Sequence, residues 1–166
     1  MRVVVQRVKE ASCYVNNEIV GKIGNGLMLL VSFTHTDTIE NVKKMAYKIS
    51  GLRIFDDLNG KMNFSINDVG GSILSISQFT LYGNCNKGFR PSFVDSMDFS
   101  KASTLYNSFN DILKNEYHLQ VETGLWSTYV FTSNMRWTGY FNIGILIWKE
   151  ILFWILLLKI SLFSAT

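Results

Sequence analysis

The residues best placed to do chemistry are Ser77-Gln78-Phe79-Thr80, at the end of an apolar run beginning Ile73-Leu74-Ser75-Ile76. A hydroxyl, an amide and a second hydroxyl stand together where that run gives out. The loop Gly83-Asn84-Cys85-Asn86-Lys87-Gly88-Phe89-Arg90-Pro91 follows at once, bringing two cations. Polar groups at a strand end beside a basic, glycine-containing loop suit an anionic substrate, because the strand gives rigidity and the loop gives reach. No histidine lies beside Ser77 or Thr80, and no Gly-x-Ser-x-Gly elbow is present, so a serine triad is not readable here. Ser77 and Thr80 by themselves read as ordinary strand formers on alternating faces; the chemistry that would fit a site here is stabilisation of a developing oxyanion by the backbone N–H groups of Phe79 and Thr80, helped by Gln78. Thr80 as a nucleophile is the rival role, and an unactivated threonine is weak without a base.

The elements that must position this stretch follow from the pattern. Residues 2 to 8 alternate as a strand, with a return through Ala11 to Val15. Gln6 and Arg7 read as its solvent-facing members. Asn16-Asn17 turns the chain into Glu18 to Ile23. Gly24-Asn25-Gly26 is a hairpin signal before the apolar run Leu27 to Phe33. Asp37 or Thr38 can cap a helix to about Ile49, with Val42, Met45, Ala46 and Ile49 inward and Lys43, Lys44 and Lys48 outward. Gly51 ends it. Arg53 to Phe55 and Met62 to Ile66 form strands around a turn in which Asp56 and Asp57 are turn formers rather than metal ligands. His35 reads as a strand-end histidine, not a general base. Ile73 to Leu81 reads as the central strand. Ser100 to Tyr117 is a second amphipathic helix, with Leu105, Phe109, Ile112 and Leu113 inward, and Leu119 to Glu122 is a further strand. The predicted class is α+β: a largely antiparallel or mixed β-sheet with two main helices on one face.

Composition narrows the classes. A chain of 166 residues suits one domain, which buries roughly 70% of its unfolded surface. A net charge of +3 is too small to argue for nucleic acid by itself; the local cluster of Lys87 and Arg90, with Arg7, is the better pointer. Two distant cysteines, Cys13 and Cys85, predict neither a disulfide framework nor a thiolate metal site, and point to a reducing cytoplasm. No signal peptide is read at the start, where Met1-Arg2 runs straight into alternation. No metal or other cofactor is implied.

Ser77-Gln78-Phe79-Thr80-Leu81-Tyr82, followed by Lys87-Gly88-Phe89-Arg90-Pro91-Ser92-Phe93, closely resembles the D-aminoacyl-tRNA (D-tyrosyl-tRNA) deacylases. So do the opening Met1 to Val8 and Gly51-Leu52-Arg53-Ile54-Phe55-Asp56-Asp57 running into Gly60-Lys61-Met62-Asn63. The resemblance covers residues 1 to 124. It implies a cytoplasmic, homodimeric hydrolase that cleaves the ester of D-aminoacyl-tRNA and spares the L form, an editing step in translation. It implies that Ser77, Gln78, Phe79 and Thr80 are the catalytic residues. Lys87, Gly88 and Arg90, with Arg7, would then contact the tRNA acceptor end.

The resemblance also implies a chiral filter, a Gly–cis-Pro dipeptide near the C-terminus that enters the partner subunit's site. This sequence has no Gly-Pro; the motif is expected near Trp137 and Thr138. Residues 125 to 166 read instead as an aberrant hydrophobic tail. One codon assignment for Leu125 onward, CTT TGG AGC ACA TAT G, read one base later, gives Phe-Gly-Ala-His-Met, similar to the family's segment. An assignment for Arg136 onward, CGA TGG ACC GGT TAC T, gives Asp-Gly-Pro-Val-Thr in the same shifted frame. A frameshift near Gly124 accounts for both, and the DNA is then expected to carry GGN-CCN in that frame. A membrane anchor over Phe141 to Phe163 is the weaker reading: Lys149, Glu150 and Lys159 leave no uncharged run of the ~18 residues a span needs. An inactive tRNA-binding remnant without its filter is the alternative function.

Overall fold

The computed structural model describes residues 1–15 and 18–124, and the backbone of 137–143. The Asn16-Asn17 turn, residues 125–136 that follow the frameshift expected near Gly124, and the apolar run beyond residue 143 lie outside the described residues. Nine strands and two helices are described: β1 (Arg2–Val8), β2 (Ala11–Val15), β3 (Glu18–Ile23), β4 (Gly26–Ser32), α1 (Ile39–Ser50), β5 (Phe55–Asp56), β6 (Met62–Phe64), β7 (Ser72–Ser77), α2 (Phe99–Asn115), β8 (Gln120–Thr123) and β9 (Trp137–Ile143). No described helix is long and apolar enough to cross a membrane.

The main sheet has five strands in the order β8-β7-β4-β1-β9, with β1 antiparallel to β4 and β9, and β7 parallel to β4 and β8. The sheet is therefore mixed, as the α+β expectation allowed. A parallel pair needs a crossover. The chain between β4 and β7 supplies α1 and the β5–β6 ribbon, and the chain between β7 and β8 supplies α2.

Both faces of the sheet are covered, which is why β4, at its centre, reads as an unbroken apolar run. On one face Val3, Val5, Leu27, Leu29, Val31, Ile73 and Val121 pack against Val42, Ala46 and Ile49 of α1 and Tyr106, Phe109 and Leu113 of α2. On the other, Val8, Met28, Leu74 and Ile76 pack against Ala11, Cys13 and Ile23 of the β2–β3 ribbon. Burial raises the Cys13 thiol pKa, which makes it a core residue rather than a reactive one. Thr38 is the N-cap of α1 and exchanges bonds with Asn41 in a capping box.

Three local expectations give way. Gly24-Asn25-Gly26 does not close a hairpin: β3 pairs with β2, and β4 with β1 and β7, so the turn carries the chain between layers. Gln6 is not solvent-facing but 1% exposed, between β4 and β9 and opposite the buried Met28. The strand expected over Ile73 to Leu81 stops at Ser77, and it lies second from the edge rather than at the centre. A 3₁₀ turn over Phe79–Tyr82 takes its place.

Candidate functional site

The register of the parallel strands decides where the site sits. Ser77 lies opposite Val31, and the Gln78 N–H donates to the Val31 carbonyl at 2.8 Å, the last bond of that ladder. Ser32, next along β4, lies opposite Arg2 of β1. The polar stretch thus occupies the carboxyl ends of β4 and β7, the end where ligands bind in open sheets with parallel strands.

The 3₁₀ turn begins there. Its opening bond runs from the Leu81 N–H to the Gln78 carbonyl at 3.2 Å, and the Gly83 N–H closes it on the Thr80 carbonyl at 2.9 Å. The N–H groups of Phe79 and Thr80 precede that first bond and have no acceptor within the turn, as at any helix start. The Gln78 side-chain amide donates to the Thr80 hydroxyl oxygen. That bond occupies a lone pair of Oγ1 and leaves its proton for a donor role. Among the described residues, no carboxylate or imidazole is hydrogen-bonded to Thr80, so the arrangement offers donors and no activated nucleophile.

Several groups hold the turn from beneath. The Phe79 carbonyl accepts from Ser96 Oγ at 2.9 Å and Ser32 Oγ at 3.4 Å. Arg2 donates from Nη1 to the Leu81 carbonyl at 2.7 Å, and its guanidinium lies 4.2 Å from the centroid of the Tyr82 ring. Asp37 is close by, accepting from the Thr34 N–H at 2.8 Å and from the Met1 backbone nitrogen. The Phe79 ring meets Phe93 edge-on at 5.3 Å and stays 56% exposed.

Tyr82 is the titrating group of this layer. Burial above all, then the Asp37 charge, push its phenol up to about 12, with Arg2 opposing. An acid raised from 10.0 in this way favours its neutral form in the folded state. Its contribution is complete below about pH 10 and is lost as pH climbs from there toward 12. Tyr82→Phe is expected to remove part of that alkaline loss of stability, read as urea midpoints that fall less steeply above about pH 10. A remainder is expected from Tyr106, whose pKa burial also raises.

The basic loop is a clipped lobe. Asn84 and Ser92 exchange both backbone bonds, at 2.8 and 2.9 Å, closing the loop at its base. Gly88 takes φ +68° at its tip, a conformation suited to glycine. Lys87, Phe89 and Arg90 are exposed there, and neither cation is in an ion pair among the described residues. The structure therefore brings Ser77, Gln78, Phe79 and Thr80 together, with the lobe of Lys87, Gly88 and Arg90 leaving from the same turn.

Arg7 is not brought to them. It lies opposite Leu27, at the other end of the β1–β4 ladder from Arg2, donating to the Ile54 carbonyl at 2.9 Å and pairing with Asp56 at 3.0 Å. Arg2 is the residue the sequence reading missed. Its only signal was its place at the head of the first strand, and the register that carries it to Leu81 is not visible in the sequence. His35 binds the Val94 carbonyl at 2.7 Å, and Asp57 accepts from the N–H groups of Asn59 and Lys61. Among the described residues no group of metal ligands is present.

A model of the family described as D-Tyr-tRNA(Tyr) deacylase matches residues 4–142. A D-aminoacyl-tRNA deacylase of Brevibacillus brevis is 58% identical over 124 residues, 75% of this chain and 85% of that protein. One from a Geobacillus species is 53% identical over 124 residues, 75% of this chain and 81% of that protein. Among solved structures, a c-Myc DNA unwinding element binding protein superposes with a TM-score of 0.81 at 32% identity, over 89% of this chain and all of that one. A probable eukaryotic D-amino acid tRNA deacylase superposes with a TM-score of 0.71 over 86% of this chain and 98% of that one; at 17% identity this likeness concerns the fold.

Proposed function

Because the chain belongs to the D-Tyr-tRNA(Tyr) deacylase family, we propose that it hydrolyses the ester of D-aminoacyl-tRNA, releasing free D-amino acid and tRNA as chirality proofreading in translation. The observation that carries this reading is the pair of N–H groups of Phe79 and Thr80, which have no acceptor in the turn they open. Water attacks the ester carbonyl carbon, negative charge collects on its oxygen, and those N–H groups bind it. The bond to the ribose oxygen then breaks, and that oxygen takes up a proton. A ribose hydroxyl next to the ester is available to help activate the water. Ser77 and Gln78 shape the strand end, and Gln78 sets the Thr80 hydroxyl as a donor.

Lys87, Gly88 and Arg90 meet the phosphates of the acceptor end, a single strand held mainly through its backbone and by stacking. Arg7, far along β1, meets RNA only away from the ester. The working form is a cytoplasmic homodimer. Residues 1–124 form the deacylase-like domain, and 125–166 are a frame-shifted tail that replaces its last segments while still supplying β9 to the edge of the main sheet.

A second reading has one observation behind it. The single proline of the chain is Pro91, in the basic loop, so no Gly-Pro filter exists near Trp137 and Thr138. A remnant that binds tRNA without cleaving it would have this composition. Release of D-tyrosine and of L-tyrosine from charged tRNA by the full chain separates the two. Release of D with L spared is the expected result. Release of both keeps the hydrolytic site and removes the discrimination. Binding of tRNA without release of either amino acid supports the remnant.

A further inference from the structure

Phe79 and Thr80 share one peptide unit. In a trans peptide the carbonyl and the following N–H lie in one plane and point in opposite directions. Whatever grips the Phe79 oxygen therefore aims the Thr80 N–H. Two hydroxyls grip it, from separate parts of the chain: Ser96 Oγ at 2.9 Å and Ser32 Oγ at 3.4 Å. Ser32 is 2% exposed on β4.

Ser96 is itself fixed. It bridges to Thr34 as an antiparallel pair, and the Met97 N–H donates to the Phe33 carbonyl at 3.0 Å. Thr34 Oγ1 donates to the Asp95 carbonyl at 2.7 Å, and His35 binds that of Val94. The segment before α2 is thus stitched along the chain leaving β4, and Ser96 is the member that reaches across to the turn.

We infer that Ser96, backed by Ser32, is a positioning residue for the hydrolysis. By donating to the Phe79 carbonyl it orients the Thr80 N–H toward the oxyanion and polarises it. A hydrogen bond accepted at one end of a peptide strengthens the donor at the other. Neither hydroxyl touches the substrate. The inference rests on the oxyanion reading above, and its test has an arm that needs no turnover.

In the full chain, Ser96→Ala is expected to lower kcat on D-tyrosyl-tRNA by about tenfold, with KM within about twofold, because only transition-state binding is weakened. Ser96→Thr, which keeps the hydroxyl, is expected to restore kcat. In NMR spectra without substrate, the Thr80 amide is expected to shift upfield in Ser96→Ala by more than those of Leu81 and Gly83, and to return in Ser96→Thr. If Ser96→Ala does not fold, Ser32→Ala carries the same test, with about a twofold loss from its longer bond. Full kcat in Ser96→Ala, a loss confined to KM, or an unmoved Thr80 amide would overturn the inference. If the unsubstituted chain releases no amino acid, the oxyanion reading falls, and the amide shift still decides whether Ser96 polarises that peptide.

Discussion

Exchanging the Thr80 backbone amide for an ester, by incorporating the α-hydroxy analogue of threonine, is expected to lower kcat on D-tyrosyl-tRNA by roughly 10²–10³-fold. KM is expected to change little, since the N–H binds charge that exists only in the transition state. The exchange removes one donor and keeps the side chain, so the loss reports the backbone alone. Thr80→Val is its complement: it keeps the N–H and removes the hydroxyl. A nucleophilic threonine demands complete loss of turnover in that variant. An oxyanion site predicts about a tenfold loss, because both backbone donors stay and only the hydroxyl that Gln78 sets goes. Single-turnover hydrolysis of both variants settles which part of Thr80 works. Abolition by Thr80→Val together with a mild effect of the amide exchange would reverse the assignment.

The second large effect concerns stability. Gly26→Ala is expected to cost at least about 3 kcal/mol, read as a lowered urea midpoint at unchanged slope. A Cβ at Gly26 would stand 1.8 Å from the Ser72 carbonyl oxygen and 2.8 Å from its carbonyl carbon and nitrogen. These are backbone atoms of the parallel partner strand, so no side chain can swing aside. The strain falls on the first pair of the β4–β7 register, the ladder that ends at Val31 and Ser77. Gly24 is the control. Nothing lies within 4 Å of a Cβ there, and Gly24→Ala is expected to stay within about 0.5 kcal/mol. Equal effects of the two would mean that β4 and β7 do not approach as described.

The pattern of the sequence carried most of the layers and less of the site. Alternation in Arg2–Val8 and the 3.6-residue spacing of Val42, Ala46 and Ile49 report burial against one face, and burial is what β1 and α1 have. Ser77 to Tyr82 misled for the same reason. Phe79 and Leu81 alternate with the polar Gln78 and Thr80, and Phe79, Thr80 and Tyr82 are good strand formers, so pattern and propensity both favour more strand. The turn there is made by contacts from far along the chain: Ser32 and Ser96 on the Phe79 carbonyl and Arg2 on the Leu81 carbonyl. The same blindness hid Arg2 and favoured Arg7. Both are arginines of one strand, and only the pairing of Arg2 with Ser32 tells which end meets the turn. The glycines of Gly24-Asn25-Gly26 were visible as punctuation, but what Gly26 accommodates is a backbone whose approach no local pattern reports.

The order of strands has a consequence for how the chain is made. β1 is flanked by β4 on one side and β9 on the other. The first of these neighbours leaves the ribosome early; the second is more than a hundred residues further on. Until Trp137–Ile143 has been synthesised, β1 presents an open hydrogen-bonding edge rich in valine, the kind of edge that recruits other chains. Each molecule therefore spends most of its synthesis with its opening strand half paired. A chain cut after Gly124 would keep the whole Phe79–Tyr82 turn and still leave that edge unprotected. Residues 137–143 thus bear on whether the protein stays soluble long enough to act, independently of any part they take in recognising the substrate.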